Sequence, residues 1–167
     1  MMDRFVVMGV SGCGKSSIGA MFAAQIGARF VDADDLHPEG NIAKMAAGIA
    51  LTDMDRTPWL EAVGLKLAQR KEPLVIACSA LKRSYRDIIR NKAATPVAFL
   101  HLDGTHDVIA ARMAAREDHF MPTTLLDSQF AALEPLGSDE AGTRVDVDQT
   151  PNAIVAELVA HFEKEKL

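Results

Sequence analysis

Gly9-Val10-Ser11-Gly12-Cys13-Gly14-Lys15-Ser16 is the stretch on which the fold turns. It matches G-x-x-x-x-G-K-[ST] at every fixed position, and its flanks agree with it. Phe5-Val6-Val7-Met8 before it reads as a short buried strand. After it, Ile18, Met21, Phe22 and Ile26 mark one face of a helix that Gly27 stops. Glycines let the chain curl until successive N–H groups point inward at phosphate oxygens, and the positive end of the following helix favours the anion. Lys15 can then reach the β- and γ-phosphates, and the Ser16 hydroxyl can bind Mg²⁺. The run Gly9, Val10, Ser11, Gly12, Cys13, Gly14, Lys15, Ser16 and Ser17 is therefore assigned to a nucleoside triphosphate.

Working outward, Arg29-Phe30-Val31 predicts a second strand that opens into Asp32-Ala33-Asp34-Asp35. Pro38 to Ala47 predicts a short helix, and Thr57-Pro58 a helix start, with Thr as cap and Pro in the first turn. Leu74 to Cys78 is an unbroken apolar run of the kind a central parallel strand shows. A basic helix from Lys82 to Lys92 follows, then a strand at Val97–Leu100 and a helix from Asp107 to about Arg116. Pro122 interrupts before a helix at Thr124–Leu133, a last strand at Arg144–Val147 and a terminal helix from Thr150-Pro151. Strands alternating with helices imply an α/β fold of three layers, with five parallel strands between helices. With 167 residues, no repeat and no linker-like tract, one domain spanning 1–167 is expected.

Composition narrows the partners. Hydrophobic residues make up 49% and charged residues 25%, which excludes a disordered chain. A formal net charge of -5 argues against a general nucleic-acid binder. No run approaches the roughly 20 apolar residues of a membrane helix, and Phe5–Val10 is too short for a signal-peptide core. Two cysteines make no disulfide framework, so a reducing, cytoplasmic setting is the simplest reading.

The chemistry separates this loop from other nucleotide switches. Asn91-Lys92-Ala93-Ala94 lacks the aspartate of a guanine-reading motif, and the central strand ends in Cys78-Ser79-Ala80 without the carboxylate of a motor ATPase. The carboxylates stand after the second strand, where strand ends of such a sheet open onto one crevice. A carboxylate there can hold Mg²⁺ through water or orient an acceptor hydroxyl, and both roles are open to Asp32 and Asp34, while Asp35 alone reads as solvated. Arg112 and Arg116 lie four apart on one helix face, ahead of His119-Phe120-Met121-Pro122, and could close over the phosphates as a lid spanning about 112–130.

Taken together these residues resemble the gluconate kinase (gluconokinase) family, within the adenylate and shikimate kinase-like group of phosphate-loop folds with a helical lid. The landmarks run from Val7 to about Val155. They include Asp32 to Pro38, Asn41-Ile42-Ala43-Lys44-Met45, Asp53 to Leu60, Cys78 to Lys82, Tyr85-Arg86-Asp87, His119 to Pro122 and Leu126 to Phe130. Ala50 and Cys13 depart from that family's usual Pro and Ser. The resemblance implies phosphorylation of the 6-hydroxyl of D-gluconate by ATP, with Mg²⁺ served by Ser16 and Asp32 and, in some members, a homodimer. A linear polyol acid needs a cation at one end and hydrogen-bonding groups along its chain. Arg56 is assigned to the carboxylate, because its fork binds one bidentately. His37, Lys44, Ser79, Arg86 and Gln129 are further candidates for the substrate, Arg112 for the base or ribose, and Lys15, Asp34 and Arg116 for catalysis. Two other readings compete: a kinase of another small acceptor such as shikimate, and a nucleotide-binding regulator without turnover.

Overall fold

The computed structural model describes residues 2–69, 71–115 and 123–165. Strands β1 (Arg4–Met8), β2 (Arg29–Asp32), β3 (Leu74–Ala77), β4 (Ala98–Asp103) and β5 (Gly142–Asp146) form a parallel sheet in the order β2-β3-β1-β4-β5. Seven α-helices accompany it among the described residues: α1 (Lys15–Ile26), α2 (Glu39–Ala46), α3 (Asp53–Ala68), α4 (Arg83–Ala93), α5 (His106–Ala114), α6 (Thr123–Ala132) and α7 (Pro151–Lys164).

Central β1 explains why its sequence is continuously apolar. Val6 faces Ile76 across one ladder and Phe99 across the other, and every residue of the strand is buried. Side chains alternate between two cores. Phe5, Val7 and Leu100 pack with Ile18 and Phe22 of α1 and with Leu158 and Phe162 of α7. Val6, Met8, Ile76 and Phe99 pack with Leu60, Val63 and Leu67 of α3 and with Ile89 of α4. Helices on both faces make the three layers expected of the sequence.

One boundary differs. α3 begins at Asp53, not at Thr57-Pro58. Thr52 is the cap: its hydroxyl accepts from the Asp55 N–H and the Asp55 carboxylate accepts from the Thr52 N–H, a reciprocal capping box. Two satisfied donors outweigh the generic preference for Pro at a helix start. Pro58 then sits inside the helix, where its lost bond to the Met54 carbonyl falls on an exposed turn that water can serve. Thr150 and Thr105 cap α7 and α5 as their sequences suggest.

The strand order sets the site. β1, β2 and β3 end at one edge, so the loops after Met8, Asp32 and Ala77 open side by side.

Candidate active site

Three loops meet around a cavity of about 490 Å³, lined by Lys15, Ser16, Asp32, Asp34, His37, Arg56, Ser79 and Gln129 among others. The phosphate loop owes its shape to glycine where no other residue fits. Gly9 has φ +147°, and a Cβ there would lie 2.8 Å from the Leu102 carbonyl oxygen and from the Cys13 sulfur. Gly12 and Gly14 are also left-handed, at φ +83° and +96°. Lys15 Nζ donates to the Val10 carbonyl at 3.1 Å, folding its ammonium back over the loop. Cys13 is wholly buried beneath the loop, and burial pushes its thiol pKa up.

The carboxylate turn after β2 is equally specified. Ser16 Oγ donates to Asp32 Oδ2 at 2.8 Å, and Asp32 Oδ1 accepts from the Asp34 N–H at 3.0 Å, starting a 3₁₀ turn over Ala33–Leu36. The Ala33 carbonyl in turn accepts from the buried Trp59 indole at 2.7 Å. Trp59 therefore packs, as its place on an amphipathic helix suggests, and also pins this turn to α3. Asp34 has its pKa raised, first by burial and then by neighbouring Asp32, against the pull of His37 and Lys15. That suits a group that takes up a proton. His37 stacks on Trp59 at 4.2 Å and 10°, and burial lowers its pKa.

The sequence-chosen residues divide at this point. Lys15, Ser16, Asp32, Asp34, His37, Arg56, Ser79 and Gln129 share the cavity wall. Gln129 does so through the loop: its Oε1 accepts from the Ser11 N–H at 2.6 Å and its Nε2 donates to Ser11 Oγ at 3.0 Å. Arg112 donates to the Val147 and Gln149 carbonyls, which places it on the loop after β5. Arg116 and His119 lie outside the described residues.

One expectation is corrected. Arg86 is fully buried: it makes a two-pronged ion pair with Glu140 at 2.8 and 3.0 Å and donates to the Ala80, Leu81 and Pro135 carbonyls at 2.9, 3.2 and 3.4 Å. Its five donors are thereby committed to the fold, not to substrate. Lys44 donates to both Asp55 carboxylate oxygens at 2.9 Å, joining α2 to the start of α3.

Sequence reasoning missed a further group. The Tyr85 hydroxyl donates to Asp53 Oδ1 at 2.5 Å, Arg56 Nη1 reaches the same oxygen at 3.2 Å, and Lys82 Nζ lies 3.7 Å from Asp53 Oδ2. Asp53 and Tyr85 stand 32 positions apart in the chain, so no local pattern could announce the pairing.

A phosphate loop, an adjoining carboxylate turn and a polar cavity between them define a phosphate-loop kinase of small molecules. A family model for shikimate kinase matches residues 11–163. The thermosensitive gluconokinase of Escherichia coli K12 is 49% identical over 150 residues, 87% of this chain and 80% of that protein. The gluconokinase of Gluconobacter oxydans 621H is 43% identical over 99% of this chain and 94% of its own. The crystal structure of a gluconokinase from Sinorhizobium meliloti 1021 superimposes with a TM-score of 0.89 at 49% identity, covering 96% of this chain and 91% of that one. The chain belongs to the gluconokinase family, inside the wider group that the shikimate kinase model describes, and is an ATP-dependent kinase with an alcohol acceptor.

Proposed function

We propose that the protein transfers the γ-phosphoryl group of ATP to the 6-hydroxyl of D-gluconate, giving 6-phosphogluconate and ADP. The observation that carries this reading is the shared cavity. It presents a guanidinium, Arg56, on the same wall system as Lys15 and Asp34, so one linear acid can meet a cation at one end and the phosphoryl donor at the other.

The acceptor oxygen attacks the γ-phosphorus as the bond to the β,γ-bridging oxygen breaks, and ADP leaves with that electron pair. Asp34 accepts the hydroxyl proton, helped by a pKa that burial has already raised. Lys15 moves from the Val10 carbonyl onto the phosphate oxygens and holds them as negative charge shifts toward the leaving group. His37 and Ser79 offer hydrogen bonds to the polyol chain. Arg112, against the loop after β5, contacts the base or ribose.

Ser16 and Asp32 would hold Mg²⁺. A hydroxyl and a carboxylate held 2.8 Å apart at a helix start are the hard oxygen donors that this cation prefers. When bound, Mg²⁺ neutralises charge on the phosphates. No helix among the described residues is long and apolar enough to cross a membrane.

The test is ADP release from Mg-ATP against gluconate, shikimate, AMP and related sugar acids. Gluconate-dependent release, with the others silent, is the expected result. Release that ignores gluconate and follows another acceptor would overturn the reading while leaving the kinase fold intact.

A further inference from the structure

The cluster at the α3–α4 junction has more positive charge than its own chain neutralises. Arg56 comes from the first turn of α3, Lys82 from the residue that caps α4, and Tyr85 from the first turn of α4. Both cations sit over the Tyr85 ring, Arg56 at 5.7 Å and Lys82 at 5.5 Å from its centre. The electron-rich ring face attracts each of them and keeps both beside the single carboxylate they share, Asp53. Nearby Asp55 does not alter this balance, because Lys44 already pairs with it. Two cations facing one carboxylate leave one positive charge over, which is the complement of one monocarboxylate. Arg56 lines the cavity; Lys82 stands just outside that lining, on the other oxygen of the same Asp53 carboxylate, and keeps 37% of its side chain exposed, so neither cation is sealed from a ligand.

The junction is also rigid enough to hold the pair in place. A Cβ at Gly64 of α3 would lie 2.7 Å from the Ile89 carbonyl of α4, so the two helices meet backbone to backbone. Arg86, one residue beyond Tyr85, locks the start of α4 to the Ala80 and Leu81 carbonyls and so fixes the peptide just before Lys82.

We propose that Lys82 is a specificity-determining residue. With Arg56 it forms a two-cation clamp for the carboxylate of the acceptor, with Tyr85 as the platform beneath both and Asp53 as the fixed counter-ion that spaces them. This inference rests on the reading of the cavity as the site of a sugar acid. Lys82 then selects for an acid terminus over an uncharged polyol, which brings no charge to meet the surplus.

The experiment is steady-state kinetics of Lys82→Met, Lys82→Arg and Arg56→Lys in the full chain, varying gluconate and ATP separately. For Lys82→Met, the KM for gluconate is expected to rise about tenfold, with kcat within threefold and the KM for ATP unchanged. Lys82→Arg, which keeps the charge, should recover gluconate KM to within threefold. A gluconate KM within twofold of wild type in Lys82→Met, or an equal rise in both variants, overturns the clamp. Should Lys82→Met fail to fold, a Lys82→Gln variant replaces it on the same criteria. The Arg56→Lys arm separates the two claims. A rise with Arg56→Lys but not with Lys82→Met sinks only the role of Lys82. No change with either sinks the reading of the cavity itself.

Discussion

The two sides of the cavity are built by different means. On the phosphate side the groups that matter are backbone N–H donors, aimed by glycines at φ +147°, +83° and +96° and followed at once by the helix they start. On the acceptor side they are side chains, Arg56 of α3 with Asp34, His37 and Ser79 of the loops after β2 and β3, held by contacts between distant elements such as Ala33–Trp59, His37–Trp59 and Asp53–Tyr85–Arg56. A backbone site is written in consecutive residues. A side-chain site exists only once the helices have packed.

That contrast can be broken most severely at its buried anchor. Arg86→Met would take two charge-assisted bonds from the Glu140 carboxylate, which is 1% exposed, and leave it to Arg90 and the Gly137 N–H, so it is expected to destabilise the fold by about 3 kcal/mol in urea unfolding. A loss below about 1 kcal/mol would mean that the acceptor side does not depend on this pair. Next in size, Asp34→Asn should lower kcat by about 10² while nucleotide binding, followed by equilibrium titration, is kept. Normal turnover would remove Asp34 from its role. Gln129→Ala tests whether the phosphate side needs a side chain at all. Loss of the two bonds to Ser11 should raise the KM for ATP by roughly threefold to tenfold, at about 1 kcal/mol for a hydrogen bond.

Acid provides a graded test of the same anchor. Burial would raise the Glu140 pKa, but its bonds to Arg86 and to the Gly137 N–H hold it down at about 2. Its folded pKa is therefore below its unfolded value, so its contribution is present above about pH 4.5 and is lost as pH falls toward 2. Melting temperature should drop over that window, and Glu140→Gln, which does not titrate, should flatten the drop. The smallest effect is expected from Lys44→Ala. An ion pair with a 41% exposed lysine is screened by water, so melting temperature should scarcely move and the KM for gluconate should stay within twofold.

What was legible in the sequence follows the same division. Gly9 to Ser16 announced the loop, and the apolar runs at Phe5–Met8 and Leu74–Cys78 announced the two central strands, because local chemistry alone dictates them. Asp32 and Asp34 were found because they follow a strand whose end must open beside that loop. Arg86 was misjudged, since an arginine in a basic helix looks alike whether it meets solvent or a buried glutamate 54 positions away. The start of α3 was missed for a subtler reason. Thr52 and Asp55 make a cap as readable as Thr57-Pro58, and only the geometry of the pair decides between them. Lys82 and Tyr85 went unassigned because their partner, Asp53, belongs to another helix.

Cys13 gives the loop a clock of its own. Its thiol has no exposure, lies under Gly9, and is pushed by burial away from its reactive thiolate form, so a labelling reagent can reach it only when the loop lifts. Cys78, buried at the end of the central β3 and with a pKa pushed up to about 12, waits for a larger opening. The two alkylation rates therefore report separate events in one molecule, the breathing of the nucleotide loop and the opening of the sheet. ATP, by holding the loop down, should slow the first more than the second.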